Sequence, residues 1–501
     1  MAQMQSQPIV GRQRPHILIV GGGYVGMYTA LRLSKRLRRD EAMVTVIDPL
    51  SYMTYQPFLP EAAAGNLEPR HVVVPLRRVL PHAQILNGRV TRIEHGRRVV
   101  TFLPNAGRSV EISYDIIVVA PGSVARTLPI PGLAENGIGF KTVGEAIFLR
   151  NHVLSKLDIA ASTADVAVRK RALTFVFVGG GYAGVEAMAE LEDMARDACR
   201  SYDGVEPSDM RWVLVEASDR ILPEVSRDMG VYTVNELLRR KIEVRLGTRL
   251  NSAQGHRIVL SDGDEFEADT LVWTAGVKPN PLVAETDFAL DEKGRIKGTE
   301  FLRIDGVDDA WTAGDSAAIP DLTHPGQLTG PSAQHAVRQA RQLGDNIVAV
   351  LRGGEPTEYR HEYLGSVASL GLHKGVAQLK LAGVSIKLRG WPAWFAHRTY
   401  HLSRVPTFNR KVRVAADWTL ALFFHREIVS LGALQNPHQE FELATKPALP
   451  PTEKVAAAKP AAAKLADAKS APARNAAPAA KVAPAKKTAS EKPTPAPRRP
   501  E

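Results

Sequence analysis

Two glycine clusters, each followed by an acid, carry the clearest chemistry in the chain. Gly21, Gly23 and Gly26 fall at G-x-G-x-x-G, and Gly179, Gly181 and Gly184 repeat the spacing. In such a loop the first glycine permits a tight turn, the second lets the backbone approach a pyrophosphate, and the third lets helix and strand pack closely. The N–H groups that open the following helix then face the phosphates. The runs MVTVID and RWVLVE end on Asp48 and Glu216, acids placed to accept the hydroxyls of an adenosine ribose. One such loop also serves plain packing, but two with matching acids imply two dinucleotide sites. Glu216 stands where a basic pair would hold a 2′-phosphate, which favours NADH over its phosphorylated relative, although Arg220 lies nearby.

Two further acids have chemistry open to them. Asp315, in DDAWTAGDSAAIP, is expected to follow a strand and to open a helix. There it can bind a ribityl hydroxyl of a flavin while the helix start faces phosphate. Glu186 is expected in the first turn of the helix after the second loop, four residues before Glu190. A carboxylate there can relay a proton; the plainer reading is that it caps or solvates the helix start.

Each loop sits between elements that can position it. HILIV (16–20) precedes the first and LTFVFV (173–178) the second, both short apolar runs of strand type. Helical spacing of apolar residues follows in MYTALRLSKRL and VEAMAELEDMA. With 501 residues, 44% of them hydrophobic and 23% charged, the chain has the makings of two or three globular domains. No run approaches the roughly 18 apolar residues of a spanning helix, and MAQMQSQPIVGRQRPH lacks a signal-peptide core, which argues against export. Cys199 is the only cysteine, so neither a disulfide framework nor a redox-active cysteine pair exists within the chain. Redox chemistry must belong to a bound cofactor. Most of the net charge of +11 lies after residue 445, where twelve Lys and Arg face four Asp and Glu. That Ala/Lys/Pro tail has too little apolar surface to fold and reads as a disordered linker, or as a segment attracted to anionic lipid. Concentrated there, the charge gives no reason to expect a nucleic-acid partner.

The ordered set of the first glycine loop, IIVVAPGS (116–123), the second loop, LVWTAG (271–276) and WTAGD (311–315) resembles the two-dinucleotide-binding flavoproteins, over roughly residues 14–365. Within them the chain looks like a type II NADH dehydrogenase, the single-subunit, non-proton-pumping NADH:quinone oxidoreductase. GGGYAGVEAMAEL, TYQPFLPEAAAG (54–65) and PSAQHAVRQA (331–340) carry that narrower likeness. It implies an NADH domain inserted in an FAD domain, with Ala120, Gly122, Gly276 and Gly314 beside the cofactors. It implies further that Tyr55, Gln56 and Pro57 line the isoalloxazine and that Glu186 stands at the nicotinamide and quinone end of the flavin. Gln334 would stand beside the flavin ring and quinone tunnel, or else be merely solvated in an Ala-rich helix. The family commonly has a second glutamine where this chain has Arg338, which can polarise a carbonyl oxygen or restrict access to another acceptor. The family's A-T-G turn is A-P-G here. A sulfide:quinone oxidoreductase would need redox cysteines that Cys199 alone cannot supply.

Residues 389–434 differ in character, being dense in Trp, Phe, Arg and His. A helix from about Pro392 would put His397, His401 and Arg404 on one face and Trp391, Phe395 and Leu402 elsewhere. After Pro406 and the basic residues Arg410, Lys411 and Arg413, a run over 415–424 would align Leu420, Phe424 and Ile428. Such helices suit an anionic membrane interface, as the family uses its C-terminal helices, or else they cover a homodimer surface or the domain's own core.

The expected architecture is α/β, two Rossmann-like domains on mainly parallel sheets. FAD-binding parts span 14–124 and 290–365, the NADH domain 125–289, a docking region 366–445 and the tail 446–501. The expected activity passes hydride from NADH to flavin and electrons to menaquinone or ubiquinone, at the cytoplasmic face of the cell membrane. The alternatives are a soluble NADH-dependent reductase of ferredoxin-reductase type, with a β-rich C-terminal interface, and a redox-sensing adaptor without turnover. No metal site is expected.

Overall fold

The computed structural model describes residues 14–362, 365–381 and 384–431; the tail expected from residue 446, and residues 432–445 of the expected docking region, lie outside them. His16–Val20 is buried at every position, so it must run inside a sheet covered on both faces. It forms part of a seven-stranded sheet in the order Ala310–Thr312, Ile116–Val119, His16–Val20, Met43–Asp48, Gln84–Glu94, Val99–Pro104, Val110–Ser113. The first five strands are parallel and the last two turn back antiparallel. Ile17 pairs with Val44 on one side and Ile116 on the other, which fixes the register of the three central strands.

Thr174–Val178 is buried in the same way and centres a second, wholly parallel sheet. Its order is Gly137–Gly139, Thr270–Trp273, Thr174–Val178, Arg211–Val215, Glu243–Arg245. Ala310–Thr312 joins the first sheet only after the second is complete, so the chain leaves its first layer and later returns to it. The α/β fold with two Rossmann-like units is as the sequence indicated.

The helices Tyr24–Arg36 and Tyr182–Ala198 start directly at Gly23 and Gly181. The first buries Val25, Met27, Ala30 and Leu33. The second buries Glu186, Glu190, Glu192 and Asp193 beside its apolar residues, an arrangement that only partners elsewhere in the chain can hold. The helix Ala333–Leu351 lies on Tyr24–Arg36, with Gly344 facing Thr29 and Arg32 across the contact.

Three expectations need correction. Glu186 is not in the first turn of its helix: the helix already begins at Tyr182, inside the glycine loop, so its first turn holds no acid and Glu186 lies one turn in. Asp315 follows the strand Ala310–Thr312 as expected, but it lies in a single 3-10 turn, Gly314–Ser316. The chain then continues as the strand Ala317–Ala318, which pairs with Ile296–Lys297; sheet hydrogen bonds take the backbone groups that a helix would have needed. The long helix begins only at Ala333, capped by Ser332.

The last helix runs over Phe408–Leu420 rather than 415–424. The Thr407 hydroxyl accepts from Arg410 N–H, capping the helix directly after Pro406. Arg410, Lys411 and Arg413 are therefore on the helix and not ahead of it, and Phe424 and Ile428 lie beyond its end. Ahead of these helices stands a three-stranded antiparallel sheet, Gly365–Ser369, Gly375–Leu381 and Val384–Arg389. The helix Trp391–Arg404 buries His397 and His401 and leaves Trp391 and Phe395 exposed.

Candidate functional site

The two glycine loops are built alike. Gly21 has φ +103° and lies against the Ala120 carbonyl, a conformation and a closeness that only glycine accepts. A Cβ on Gly26 would run into the Gly21 carbonyl, and one on Gly184 into that of Gly179. Gly23 and Gly181 have open space where a side chain would begin, which leaves their backbone accessible to a phosphate.

Each acid braces its loop. Gly22 N–H donates to Asp48 Oδ2 at 2.6 Å and Gly180 N–H to Glu216 Oε2 at 2.5 Å. Leu50 N–H and Ser218 N–H donate to the second oxygens of Asp48 and Glu216 respectively. Burial raises the Asp48 carboxyl, and the N–H groups of Gly22 and Leu50 oppose it. Arg220 is held on the carbonyls of Leu222 and Val225.

Asp315 accepts from Ser123 Oγ at 2.6 Å, and Lys141 Nζ donates to the same hydroxyl at 2.5 Å. Burial lowers the Lys141 pKa against the pull of Asp315 and Glu145. Gly314 N–H is taken by Gln339 Oε1 at 2.8 Å. Gly122 O accepts from Asn280, and Gly276 O from Arg126, so these turns tie the crossings between the two sheets.

A cavity of 1330 Å³ gathers Tyr55, Gln56, Pro57, Gly276, Glu186, Gln334 and Arg338 into one wall. Residues far apart in sequence meet here: Gln334 Nε2 donates to Gly365 O at 2.8 Å, while Gln334 Oε1 is buried without a partner among the described residues. Arg338 donates to Gln334 O at 3.0 Å, and burial lowers its pKa. Gln334 is therefore not simply a solvated helix residue. Glu186 is 7% exposed, accepts from Ser369 N–H at 2.8 Å and faces His397 Nε2 at 3.3 Å, which excludes a solvated cap.

The glycines and acids of the two loops lie outside the cavity wall. Sequence reasoning missed Lys141, Ser123 and Tyr24, which join the site through folding alone. Tyr24 lines the cavity with its hydroxyl buried near the Gln56 backbone, and burial raises its pKa. The shared face of His397 and His401 was legible, but not that it turns inward. Cys199 is free and buried at the end of the helix Tyr182–Ala198, and burial raises its thiol to about 11.

The sequence profile of the pyridine nucleotide-disulphide oxidoreductases matches residues 15–340. A type II NADH:quinone oxidoreductase of Staphylococcus saprophyticus is 31% identical over 372 residues, 73% of this chain and 90% of that protein. One from Mycobacterium tuberculosis is 27% identical, covering 84% and 91%. In fold, the chain superposes on NDH2 of Plasmodium falciparum, solved with NADH, with a TM-score of 0.77 at 17% identity, over 83% of this chain and 100% of that one. The two matched loops, the shared cavity and these likenesses agree: the chain belongs to the pyridine nucleotide-disulphide oxidoreductases and, among them, to the type II NADH:quinone oxidoreductases.

Proposed function

We propose that this chain binds FAD on its first glycine loop and NADH on its second, takes hydride from NADH and delivers the electrons to a quinone. The observation that carries this reading is the single cavity in which Gly276 and Glu186, from the segments around the second loop, meet Tyr55, Gln334 and Arg338. Bound FAD supplies the two-electron chemistry that no side chain here possesses.

The protein's own part is positioning and electrostatics. Gly21, Gly23, Gly26 and Asp48 would hold the FAD pyrophosphate and ribose, and Asp315, with Ser123 and Lys141 behind it, the ribityl chain. Gly179, Gly181, Gly184 and Glu216 would hold NADH. Glu186, Gln334 and Arg338 would act on the acceptor, Arg338 placing a cation beside a quinone oxygen. On this reading the FAD part spans 14–124 and 290–365 and the NADH part 125–289, which agrees with the strand order of the two sheets.

The acceptor, menaquinone or ubiquinone, is reached at a membrane surface. Trp391, Phe395, Phe408, Leu420, Phe423 and Phe424 are exposed, Phe408 at 82%, and Arg410, Lys411 and Arg413 accompany them. Aromatic and basic residues together suit anionic headgroups. No helix among the described residues is long and apolar enough to cross a membrane, so docking at the cytoplasmic face would be peripheral. A homodimer through the region after Glu362 is the competing use of the same surface.

The test is NADH consumption by the yellow protein with a water-soluble menaquinone analogue, beside ferricyanide, with and without anionic liposomes. Fast quinone reduction that rises with liposomes supports the reading. A flavin reduced by NADH yet inert to quinone overturns it in favour of a soluble acceptor.

A further inference from the structure

Behind the cavity wall lies a group of buried ionisable side chains that hydride transfer does not require. His397 is 1% exposed, and its Nδ1 has no hydrogen-bond partner among the described residues. Its Nε2 faces Glu186 Oε1 at 3.3 Å. Glu190, on the same helix as Glu186, and Glu61, on the short helix Leu59–Ala63, also act on His397 through their charge. Ser369 ties the two helix glutamates together, its N–H donating to Glu186 and its hydroxyl to Glu190 at 2.6 Å. Asn66 donates to Glu190 from the other side, while Arg398 neutralises Glu61 and Arg426 neutralises Asp193.

On its cavity side His397 meets His401, one helical turn on, with ring centroids 4.5 Å apart. His401 Nδ1 lies 3.1 Å from the Tyr55 hydroxyl, and both residues line the cavity. The row His397, His401, Tyr55 thus runs from an acidic interior to the place where the acceptor would be reduced.

We propose that His397 stores the proton that quinone reduction consumes and passes it to the cavity through His401 and Tyr55. The inference rests on the quinone-reducing function proposed above. Conversion of a quinone to its hydroquinone takes two electrons and two protons; hydride from NADH brings both electrons and one proton, so one proton must come from elsewhere. As the new quinol O–H bond forms, the Tyr55 O–H bond breaks. Tyr55 recovers its proton from His401 Nδ1, His401 takes the His397 proton on Nε2 and returns to its Nδ1–H tautomer before the next turnover, and His397 recharges from solvent.

The electrostatics divide the roles. Burial lowers the His397 pKa, but Glu186 first and then Glu61 and Glu190 outweigh it, and the net shift is upward. Burial and the neighbouring His397 push His401 well below the usual range, so it stays neutral and able to relay. Burial raises Tyr55 so far that a free phenolate would not persist, which requires its loss and gain of a proton to be concerted.

The experiment is stopped-flow on the holoenzyme, with flavin reduction by NADH and reoxidation by the menaquinone analogue or ferricyanide followed separately across pH. In the parent, reoxidation by the quinone falls as pH rises past the His397 pKa, because the raised imidazolium is then lost, whereas reoxidation by ferricyanide, which takes no proton, stays flat. His397→Gln is expected to slow quinone reoxidation at least tenfold and to abolish that limb, with FAD content and the ferricyanide rate kept. Nitrogen-15 histidine NMR should show one imidazole of the parent protonated beyond the ordinary histidine range and missing from the variant. His397→Gln with the parent's quinone rate and limb overturns the relay alone; a parent that never reduces quinone overturns the functional reading and the relay with it. If His397→Gln does not fold, His401→Asn replaces it, with loss of the same limb required.

Discussion

Glu216 Oε2 accepts the Gly180 N–H at 2.5 Å, so the acid placed for the ribose is also the brace of the loop that would hold the phosphates. Arg220 Nη2 is committed to the Leu222 and Val225 carbonyls, which turns that nitrogen away from a 2′-phosphate. Glu216→Gln keeps an oxygen for Gly180 while removing the charge. The ratio of kcat/KM for NADH over NADPH should then fall about tenfold, roughly 1.4 kcal/mol of discrimination. An unchanged ratio would show that Glu216 does not select the nucleotide.

The two loops can be disabled separately. Gly26→Ala drives a methyl into the Gly21 carbonyl, and Gly184→Ala drives one into the Gly179 carbonyl and towards Thr274. Gly26→Ala should purify with most of its flavin lost, whereas Gly184→Ala should stay yellow with KM for NADH raised at least tenfold. Flavin absorbance per protein and a KM measurement decide this, and a swap of the two phenotypes would reverse the cofactor assignment.

Glu190 is 2% exposed, and burial, followed by the nearby Glu61 and Asp193, pushes its carboxyl up to about 7. Between its ordinary value near 4.5 and about 7 the folded protein holds a proton that the unfolded chain has lost. Stability therefore falls as pH rises through that window and stays reduced above it. Glu190→Gln, which keeps an acceptor for Asn66 or Ser369, should have a Tm a few degrees above the parent at pH 8, with the gap closing by pH 5. A variant less stable at both pH values would contradict the sign.

Glu61 is buried between Arg398 Nη2 at 3.1 Å and Trp418 Nε1 at 2.6 Å, and so pins both C-terminal helices to the body. Glu61→Gln leaves the Arg398 guanidinium without its counter-charge, a loss of about 3–5 kcal/mol when such a pair is buried. Limited proteolysis should then cut within residues 390–431 at least tenfold faster while FAD is retained. An unchanged cleavage rate would show that the helices are held by apolar packing alone.

The amino-acid sequence by itself determined the two strand, glycine-loop, helix units, because each rests on local demands: an apolar run for a covered strand, glycine where a Cβ cannot fit, and an acid at the end of the next strand. Helical spacing after Pro392 likewise showed that His397 and His401 share a face. Only the tertiary structure decided that this face turns inward, because periodicity orders a helix surface without naming what it meets. His397 finds Glu186 from a segment more than two hundred residues earlier, and Lys141 and Asp315 meet through Ser123 across the two sheets. Asp315 sits in a turn because sheet pairing with Ile296–Lys297 claims the residues after it, and Thr407 starts the last helix earlier than its apolar run suggested. Long-range burial and pairing set those outcomes, and no local pattern encodes them.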